Sequence, residues 1–147
     1  MPVLVRLIYA SKVSQHFGPM DLKDILAASR RNNTAQGVTG LLIMSDGSFF
    51  QCLEGGRAAV NSTYAKILKD TRHANSVILS CVEIDKRQFS GWSMGYVLSN
   101  EKNRPLFLSY AAESRFTPLS LRAQAAESML AEIGSYARQI GAAESSV

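Results

Sequence analysis

The chain has 147 residues, of which 46% are hydrophobic and 19% are charged, and its formal net charge is +4 at pH 7. This length and composition are those of one globular domain with a short appendage. No stretch reaches the roughly 20 apolar residues of a membrane-spanning helix. The N-terminus runs straight into a strand-like segment without the features of a secretory signal. We therefore expect a cytoplasmic protein with no membrane partner.

The net positive charge raises the question of nucleic-acid binding. The basic residues are scattered, apart from the pairs Arg30-Arg31 and Lys86-Arg87, and they form no stripe that would follow a phosphate backbone. A few of these cations could instead face one phosphorylated ligand. The sequence therefore does not favour nucleic acid as a partner.

The cysteines and histidines do not indicate a metal site. Cys52 and Cys81 both lie in apolar, strand-like runs without His or Cys neighbours at metal-ligand spacing, so we expect two buried, reduced thiols. His16 and His73 are too far apart in the sequence, and too short of partners, to indicate a metal site or a nucleophile–base pair.

The first predicted element is a strand over Val3–Ser11. Its nearly continuous apolar run is typical of a central strand covered on both faces. The period of two places alternate residues on one face, namely Val3, Val5, Leu7 and Tyr9.

A helix is predicted next, from about Pro19 to Arg31. Pro19 is well placed near a helix start, and apolar or small residues recur at i, i+3, i+4 and i+7. We expect this helix to end at the polar pair Asn32-Asn33, because asparagine tolerates the left-handed conformation. The residues of the stripe are Leu22, Ile25, Leu26 and Ser29.

A β-hairpin follows the helix. A buried strand over Gly37–Met44 leads into Asp46-Gly47, a dipeptide typical of two-residue hairpin turns, and then into Phe49–Leu53. Gly55-Gly56 is expected to break this second strand. In its middle lies Gln51, whose amide needs hydrogen-bond partners inside the fold, since leaving it unpaired would cost on the order of 1–3 kcal/mol.

The remaining elements complete an α+β fold. A second helix is predicted over about Ala58–Thr71, then a strand over Ser76–Ile84 and a shorter one over Gly91–Leu98. The order β-α-β-β-α-β-β indicates a ferredoxin-like, split-βαβ mixed sheet with both helices on one face.

This arrangement makes a prediction about Tyr9 and Gln51. We expect the first and third strands to lie side by side and parallel, with both residues near the carboxyl ends. The phenol and the amide would then come within hydrogen-bond reach. A ligand would lie in the crevice beyond the strand ends, between the two helices.

Residues 1–98 are predicted to form this domain, and residues 99–147 a helical C-terminal extension. Thr117-Pro118 resembles a cap and first helical turn, and an apolar stripe then runs to a helix end at Gly141. The stripe could pack on the open face of the sheet or against another chain, and on this basis we expect a homo-oligomer rather than a monomer. Its residues are Ala126, Met129, Leu130, Ile133, Ala137 and Ile140.

Six short segments, taken in order, resemble a BLUF domain, the family of blue-light sensors that bind flavin adenine dinucleotide (FAD). The resemblance covers about residues 3–98, and no single segment would carry it alone. The segments are Tyr9-Ala10-Ser11, Arg31-Asn32-Asn33, Gly37-Val38-Thr39-Gly40-Leu41-Leu42, Phe49-Phe50-Gln51-Cys52-Leu53-Glu54-Gly55, Asp70-Thr71-Arg72-His73 and Trp92-Ser93-Met94.

The resemblance implies non-covalently bound FAD between the two helices. Asn33 would bond the pyrimidine edge of the flavin, with Asn32 beside it. Arg72 and His73, with Asp70 orienting nearby, would hold its other polar edge and the chain to the phosphates. The full set of cofactor-binding residues would be Tyr9, Ile25, Ser29, Asn32, Asn33, Gln51, Ile67, Asp70, Arg72, His73 and Met94.

The resemblance also implies a photochemical role for Tyr9, Gln51, Trp92 and Met94. Tyr9 would reduce the excited flavin by proton-coupled electron transfer through Gln51, and the rearranged hydrogen bonds would shift absorption to the red. The chain is then a sensor and not an enzyme. The roughly fifty residues past the domain are too few for a cyclase or phosphodiesterase, so we expect output through an oligomer or a separate effector protein.

Alternatives remain open at this point. Taken singly, Tyr9 is a strand-end aromatic, Gln51 a satisfied core amide and Asn32-Asn33 a helix terminator. The fold also admits a small acylphosphatase-type enzyme, but residues 11–18 lack its anion-binding loop. A nucleic-acid binder is the third alternative, but Phe49 and Phe50 are adjacent and so face opposite sides of a strand. Only the first hypothesis predicts a yellow protein.

Overall fold

Five strands form one sheet in the computed structural model, which describes residues 3–15, 17–18 and 20–139. The elements follow the predicted β-α-β-β-α-β-β order and continue into helices. They are β1 (Leu4–Val13), α1 (Asp21–Gln36), β2 (Thr39–Ser45), β3 (Ser48–Gly56), α2 (Arg57–Leu68), β4 (His73–Glu83), β5 (Gly95–Leu98), α3 (Arg104–Leu108), a 3-10 turn (Pro118–Ser120) and α4 (Ala123–Gln139).

The strand order across the sheet is β4-β1-β3-β2-β5, so the first and third strands are neighbours as predicted. Their predicted parallel direction is wrong, because β1 and β3 pair antiparallel. The cause is the hairpin: β2 runs parallel to β1 after the α1 crossover, and the tight turn then reverses β3. Tyr9 lies directly opposite Gln51 in this register. Because the two strands are antiparallel, their carboxyl ends lie at opposite edges of the sheet.

The sheet is covered on both faces. On one face α1 and α2 pack over Leu7, Tyr9 and Leu53, which confirms that both helices lie on the same side. On the other face α4 packs over Ile8 and Phe50. Adjacent residues of β1 therefore enter different cores, which explains the continuous apolar run of that strand.

Helix α1 continues past its predicted end. Asn32 and Asn33 are both helical, and the helix ends only at Gln36. The terminator is Gly37, which adopts the left-handed conformation at φ 70° and donates its N–H to the carbonyl oxygen of Asn33. The predicted start at Pro19 lies outside the described residues. In contrast, α2 ends at Leu68, three residues before the predicted Thr71.

The predicted Asp-Gly turn joins β2 to β3. Asp46 has φ 49° and Gly47 has φ 74°, the positive values that a two-residue hairpin turn requires. The turn also anchors the C-terminal extension, because an Asp46 carboxylate oxygen accepts the backbone N–H of Phe116 at 2.9 Å. Gly55 and Gly56 do not break the strand, since β3 runs to Gly56 and α2 begins at the next residue.

The last two strands differ from prediction in ways that matter for the site. β4 begins at His73 and is an edge strand, so Cys81 is exposed and the prediction of its burial is wrong, whereas Cys52 is buried as expected. β5 begins only at Gly95, and residues 91–94 form an irregular segment that starts with Gly91 at φ 86°. A strand would place Trp92 and Met94 on one face; this segment sends them to opposite faces.

The apolar stripe of α4 packs on the sheet of its own chain. Ala126, Met129, Leu130, Ile133 and Ala137 are all fully buried there. The stripe therefore no longer supports the expectation of a homo-oligomer. Ile140 and the helix end at Gly141 lie outside the described residues. No helix in the described part of the chain combines the length and apolar character needed to cross a membrane.

Candidate functional site

A cavity of about 420 Å³ lies between α1 and α2, over the face of β2 and β3. We predicted a crevice beyond the carboxyl ends of the strands; the antiparallel pairing leaves no such common edge, and the cavity lies above the sheet instead. Nine of the eleven residues predicted to bind a cofactor line it, and they are Ile25, Ser29, Asn32, Asn33, Gln51, Ile67, Asp70, Arg72 and His73.

The two other predicted residues, Tyr9 and Met94, are joined to the cavity through Gln51. The phenol of Tyr9 donates a hydrogen bond to Oε1 of Gln51. The amide nitrogen of Gln51 donates in turn to the sulfur of Met94 at 3.4 Å. All three side chains are buried. The result is a continuous chain from phenol to amide to thioether, with the amide exposed to the cavity.

Tyr9 is held as a neutral phenol. Its side chain has no solvent exposure, and this burial raises its pKa well above the ordinary value. The ring of Tyr64 packs against it with centroids 5.1 Å apart. The hydroxyl of Tyr64 is hydrogen-bonded to Ser76 at 2.7 Å, so of these two phenols it is Tyr9 that bonds the Gln51 amide.

Two polar atoms at the cavity lack partners. The side-chain amide nitrogen of Asn33 donates a hydrogen bond to the carbonyl oxygen of Ser93 at 2.7 Å. Its Oδ1, and the hydroxyl of Thr63, are buried without a hydrogen-bond partner among the described residues. A buried polar atom left unpaired costs about 1–3 kcal/mol. Both atoms therefore indicate that a ligand able to donate hydrogen bonds belongs in the cavity.

Asp70, Arg72 and His73 form one wall of the cavity. Arg72 contacts both carboxylate oxygens of Asp70, at 2.9 and 2.7 Å, and these bonds lower the pKa of Asp70. Burial lowers the pKa of His73, whose Nδ1 is hydrogen-bonded to the hydroxyl of Ser11 at 2.9 Å. The imidazole is therefore neutral at pH 7 and packs against Phe49, with ring centroids 4.6 Å apart.

Positive charge surrounds the mouth of the cavity. Arg31, Lys66 and Arg72 line it, whereas Asp70 is the one carboxylate in the lining, and it is paired with Arg72. Lys66 also donates to the side-chain oxygen of Asn32 at 2.9 Å, which connects α2 to α1. Such a rim fits a ligand that carries phosphates.

Six of the lining residues are not among those predicted to bind a cofactor, namely Ala28, Arg31, Leu42, Leu53, Thr63 and Lys66. Three of them carry a usable signal. Thr63, Lys66, Ile67 and Asp70 follow helical spacing, so the choice of Ile67 implied that its neighbours on the same face also reach the cavity. Leu42 is found by register, since it is the direct partner of Gln51 across β2 and β3.

Trp92 is separated from this site. Its ring packs in the core under α4, 5.5 Å from the ring of Phe89. The guanidinium of Arg138 in α4 lies over both rings, 5.2 Å from the Trp92 centroid and 5.7 Å from that of Phe89. Of Trp92 and Met94, it is Met94 that contacts Gln51.

A family model described as "Sensors of blue-light using FAD" (BLUF) matches residues 4–95. A photoactivated adenylate cyclase subunit beta of Euglena gracilis is 32% identical over 92 residues, which is 62% of this chain and 11% of that protein. The blue light- and temperature-regulated antirepressor BluF of Escherichia coli is 33% identical over 59% of this chain and 22% of its own length. The chain thus spans a small part of these relatives.

One solved structure is similar to this chain over nearly the full length of both proteins. The photo-activated state of BlsA superposes with a TM-score of 0.81 at 38% identity, and the match covers 89% of this chain and 94% of BlsA. The match therefore extends beyond residues 4–95 and into the C-terminal extension.

Proposed function

The chain belongs to the BLUF family of blue-light sensors that use FAD, and we propose that it senses light through the chain of contacts from Tyr9 to Gln51 to Met94. The observation that carries this proposal is the direct hydrogen bond between the Tyr9 phenol and the Gln51 amide at the cavity. The acylphosphatase-type and nucleic-acid-binding alternatives are not favoured, since the family and its relatives are light sensors.

The residues present fit FAD. A cavity of about 420 Å³ is within the range of about 300–1,000 Å³ typical of small-molecule sites. The apolar side chains of Ile25, Leu42 and Ile67 would contact a flat ring. The orphaned Oδ1 of Asn33 would accept a hydrogen bond from the ring's polar edge, and the basic rim would face the phosphates.

The same proposal gives each of the other predicted residues a role in holding FAD. Asn32 and Ser29 would lie beside the ring on the α1 side. Arg72 and His73 would hold the opposite polar edge and the chain to the phosphates, with Asp70 fixing the guanidinium through its two contacts. Ser11 would orient the imidazole through Nδ1.

When bound, FAD supplies absorption of blue light and an oxidising excited state. Tyr9 is suited to give up an electron together with its proton, because the buried phenol already donates to Oε1 of Gln51. Gln51 could receive that proton on Oε1 and release one from Nε2, since an amide both accepts and donates; the acceptor of both the electron and the released proton would be the bound FAD. Rotation or tautomerisation of the amide would then change its bond to the Met94 sulfur, and the network would persist in a second arrangement.

Output would leave through the segment that contains Met94. Trp92, two residues away, contacts Arg138 on α4, so a change at Gln51 has a physical route to the C-terminal extension. We propose residues 1–98 as the photosensory domain, residues 99–147 as the output extension and a separate effector protein as the partner. A homo-oligomer and a cytoplasmic location stay predictions from the sequence, and we propose no enzymatic activity for this chain.

An absorption spectrum tests the proposal. The purified protein, supplied with FAD, is measured in the dark, after blue light and during return to the dark. We expect a flavin spectrum that shifts to the red and relaxes. A protein that takes up no FAD, or an FAD complex whose spectrum is unchanged by light, would overturn the proposal.

A further inference from the structure

The irregular segment Trp92–Met94 is held by three consecutive carbonyl oxygens. The carbonyl of Trp92 accepts the backbone N–H of Gly40 in β2 at 3.0 Å. The carbonyl of Ser93 accepts the amide of Asn33 at 2.7 Å. The carbonyl of Met94 accepts Nε of Arg30 at 3.0 Å. The two side-chain donors are both on α1, the helix that forms one side of the cavity.

The side-chain contact of Met94 is weak by comparison. A thioether sulfur is a poor acceptor, and its bond from Gln51 is 3.4 Å long. A hydrogen bond from a guanidinium to a carbonyl is charge-assisted and about twice as strong as a neutral one. The place of the Met94 sulfur beside Gln51 is therefore set mainly by the backbone bonds of its own segment.

Arg30 and Asn33 both bond backbone carbonyls of this segment, but they differ in their relation to the cavity. They are three residues apart on α1, so they project from the same side of the helix. Asn33 is one of the residues that line the cavity, whereas Arg30 is not among them. A change at Arg30 can therefore alter the segment without removing a ligand contact.

We infer that Arg30 is a positioning residue that holds Met94 against Gln51 by bonding the Met94 carbonyl. Loss of this bond frees the segment to move Met94 away, while Trp92 remains anchored by its own ring contacts under α4. The inference rests on the proposed function for its consequence, because the position of Met94 matters through the hydrogen bonds of Gln51. The position itself is measurable without any light.

The test uses the dark, FAD-loaded protein labelled with ¹³C at the methionine ε-methyl groups, with the Met94 resonance assigned from Met94→Leu. In Arg30→Met the donor is lost and the side chain stays long and flexible. We expect a second or displaced Met94 resonance, with the population away from Gln51 rising roughly tenfold. Arg30→Lys keeps a cationic donor, and we expect it to restore most of the wild-type resonance.

Lys23→Met is the matched control, because it removes the same charge from an exposed position on the same helix. It should leave the Met94 resonance unchanged. A Met94 resonance in Arg30→Met identical to that of the wild type would overturn the inference, as would an equal change in Lys23→Met. If Arg30→Met does not fold, Arg30→Gln provides the same comparison with a shorter, neutral side chain.

The light response gives a second readout. If Arg30 positions Met94, the dark-recovery rate of Arg30→Met should differ several-fold from that of the wild type, and Arg30→Lys should return towards the wild-type rate. Failure of the proposed function would show as an absence of any light response in the wild type. Failure of the inference would show as an unmoved Met94 methyl, so the two are distinguishable.

Discussion

Tyr9 and Gln51 lie directly opposite each other on the antiparallel strands β1 and β3, and the phenol donates a hydrogen bond to the side-chain oxygen Oε1 of Gln51. The pair lies in the middle of the sheet, buried under α1 and α2. Its register is fixed by the cores on both faces, because a slip by one residue would turn every side chain of β1 to the wrong side. The contact that we propose to sense light therefore lies at the centre of a sheet that is covered on both faces.

Removing the Tyr9 hydroxyl should abolish the light response without preventing folding. In Tyr9→Phe the ring still fills its place, but Gln51 Oε1 loses its donor. We expect the free energy of unfolding to fall by about 1–3 kcal/mol, FAD to bind, and the red shift to disappear. Urea unfolding and absorption spectra measure these quantities. Tyr64→Phe is the control, since this neighbouring phenol bonds Ser76 and should keep the shift.

Lys66→Met should weaken the binding of FAD more than that of riboflavin. Lys66 lines the cavity on α2, and a partly exposed cation is worth about 0.2–1 kcal/mol to a charged ligand. We expect a loss of up to about fivefold in FAD affinity, reduced at high salt, and little change for riboflavin, which has no phosphates. Lys69→Met removes a nearby charge outside the cavity lining. Equal losses in the two variants would contradict the assignment of the rim.

His73 should make stability fall as the pH drops below about 6.5. Burial lowers its pKa in the folded state, so the unfolded chain, with an ordinary pKa near 6.5, binds the proton first. Stability is complete above that value and declines with falling pH until the folded pKa is reached. Urea unfolding from pH 7.5 to 5 should show this slope, and His73→Gln should flatten it. Asp46 and Asp70 have lowered pKa values and act at more acidic pH.

Gly40 should not tolerate a side chain. A Cβ at this position would lie 2.0 Å from the carbonyl oxygen of Cys52, which belongs to the rigid backbone of β3. We expect Gly40→Ala to cost at least about 1–3 kcal/mol of unfolding free energy and to shift the Trp92 fluorescence, because Gly40 also bonds the Trp92 carbonyl. Gly56→Ala is the control, since its Cβ would meet no atom within 4 Å. Equal stabilities for the two variants would be inconsistent with this packing.

The sequence predicts which residues form the site better than it predicts strand direction, helix ends and the edge of the sheet. The expected strand order, with β1 beside β3, places Tyr9 near Gln51 as observed, but the reason given through a shared carboxyl end is wrong because these strands run antiparallel. The polar pair Asn32-Asn33 predicts an end of α1 that is too early, because the helix continues to the next glycine in the sequence, Gly37. The exposure of Cys81 depends on β4 being the sheet edge, which a local pattern does not encode.

Trp92 and Met94 show most clearly what local sequence patterns cannot predict. Their spacing predicts a shared face if the segment is a strand. They diverge because Gly40, Asn33 and Arg30 hold the three carbonyls of the segment in an irregular conformation. These bonds join positions 52 to 64 residues apart, and no local periodicity reports them.

The central claim is that the Gln51 amide carries the light response, and the absorption spectrum of FAD-loaded Gln51→Leu tests it most directly. Leucine fills a similar volume but neither accepts from Tyr9 nor donates to Met94. We predict that the variant binds FAD and shows no lasting red shift after blue light, under conditions in which the wild type shifts and recovers. A Gln51→Leu protein that shifts and recovers like the wild type would contradict the account.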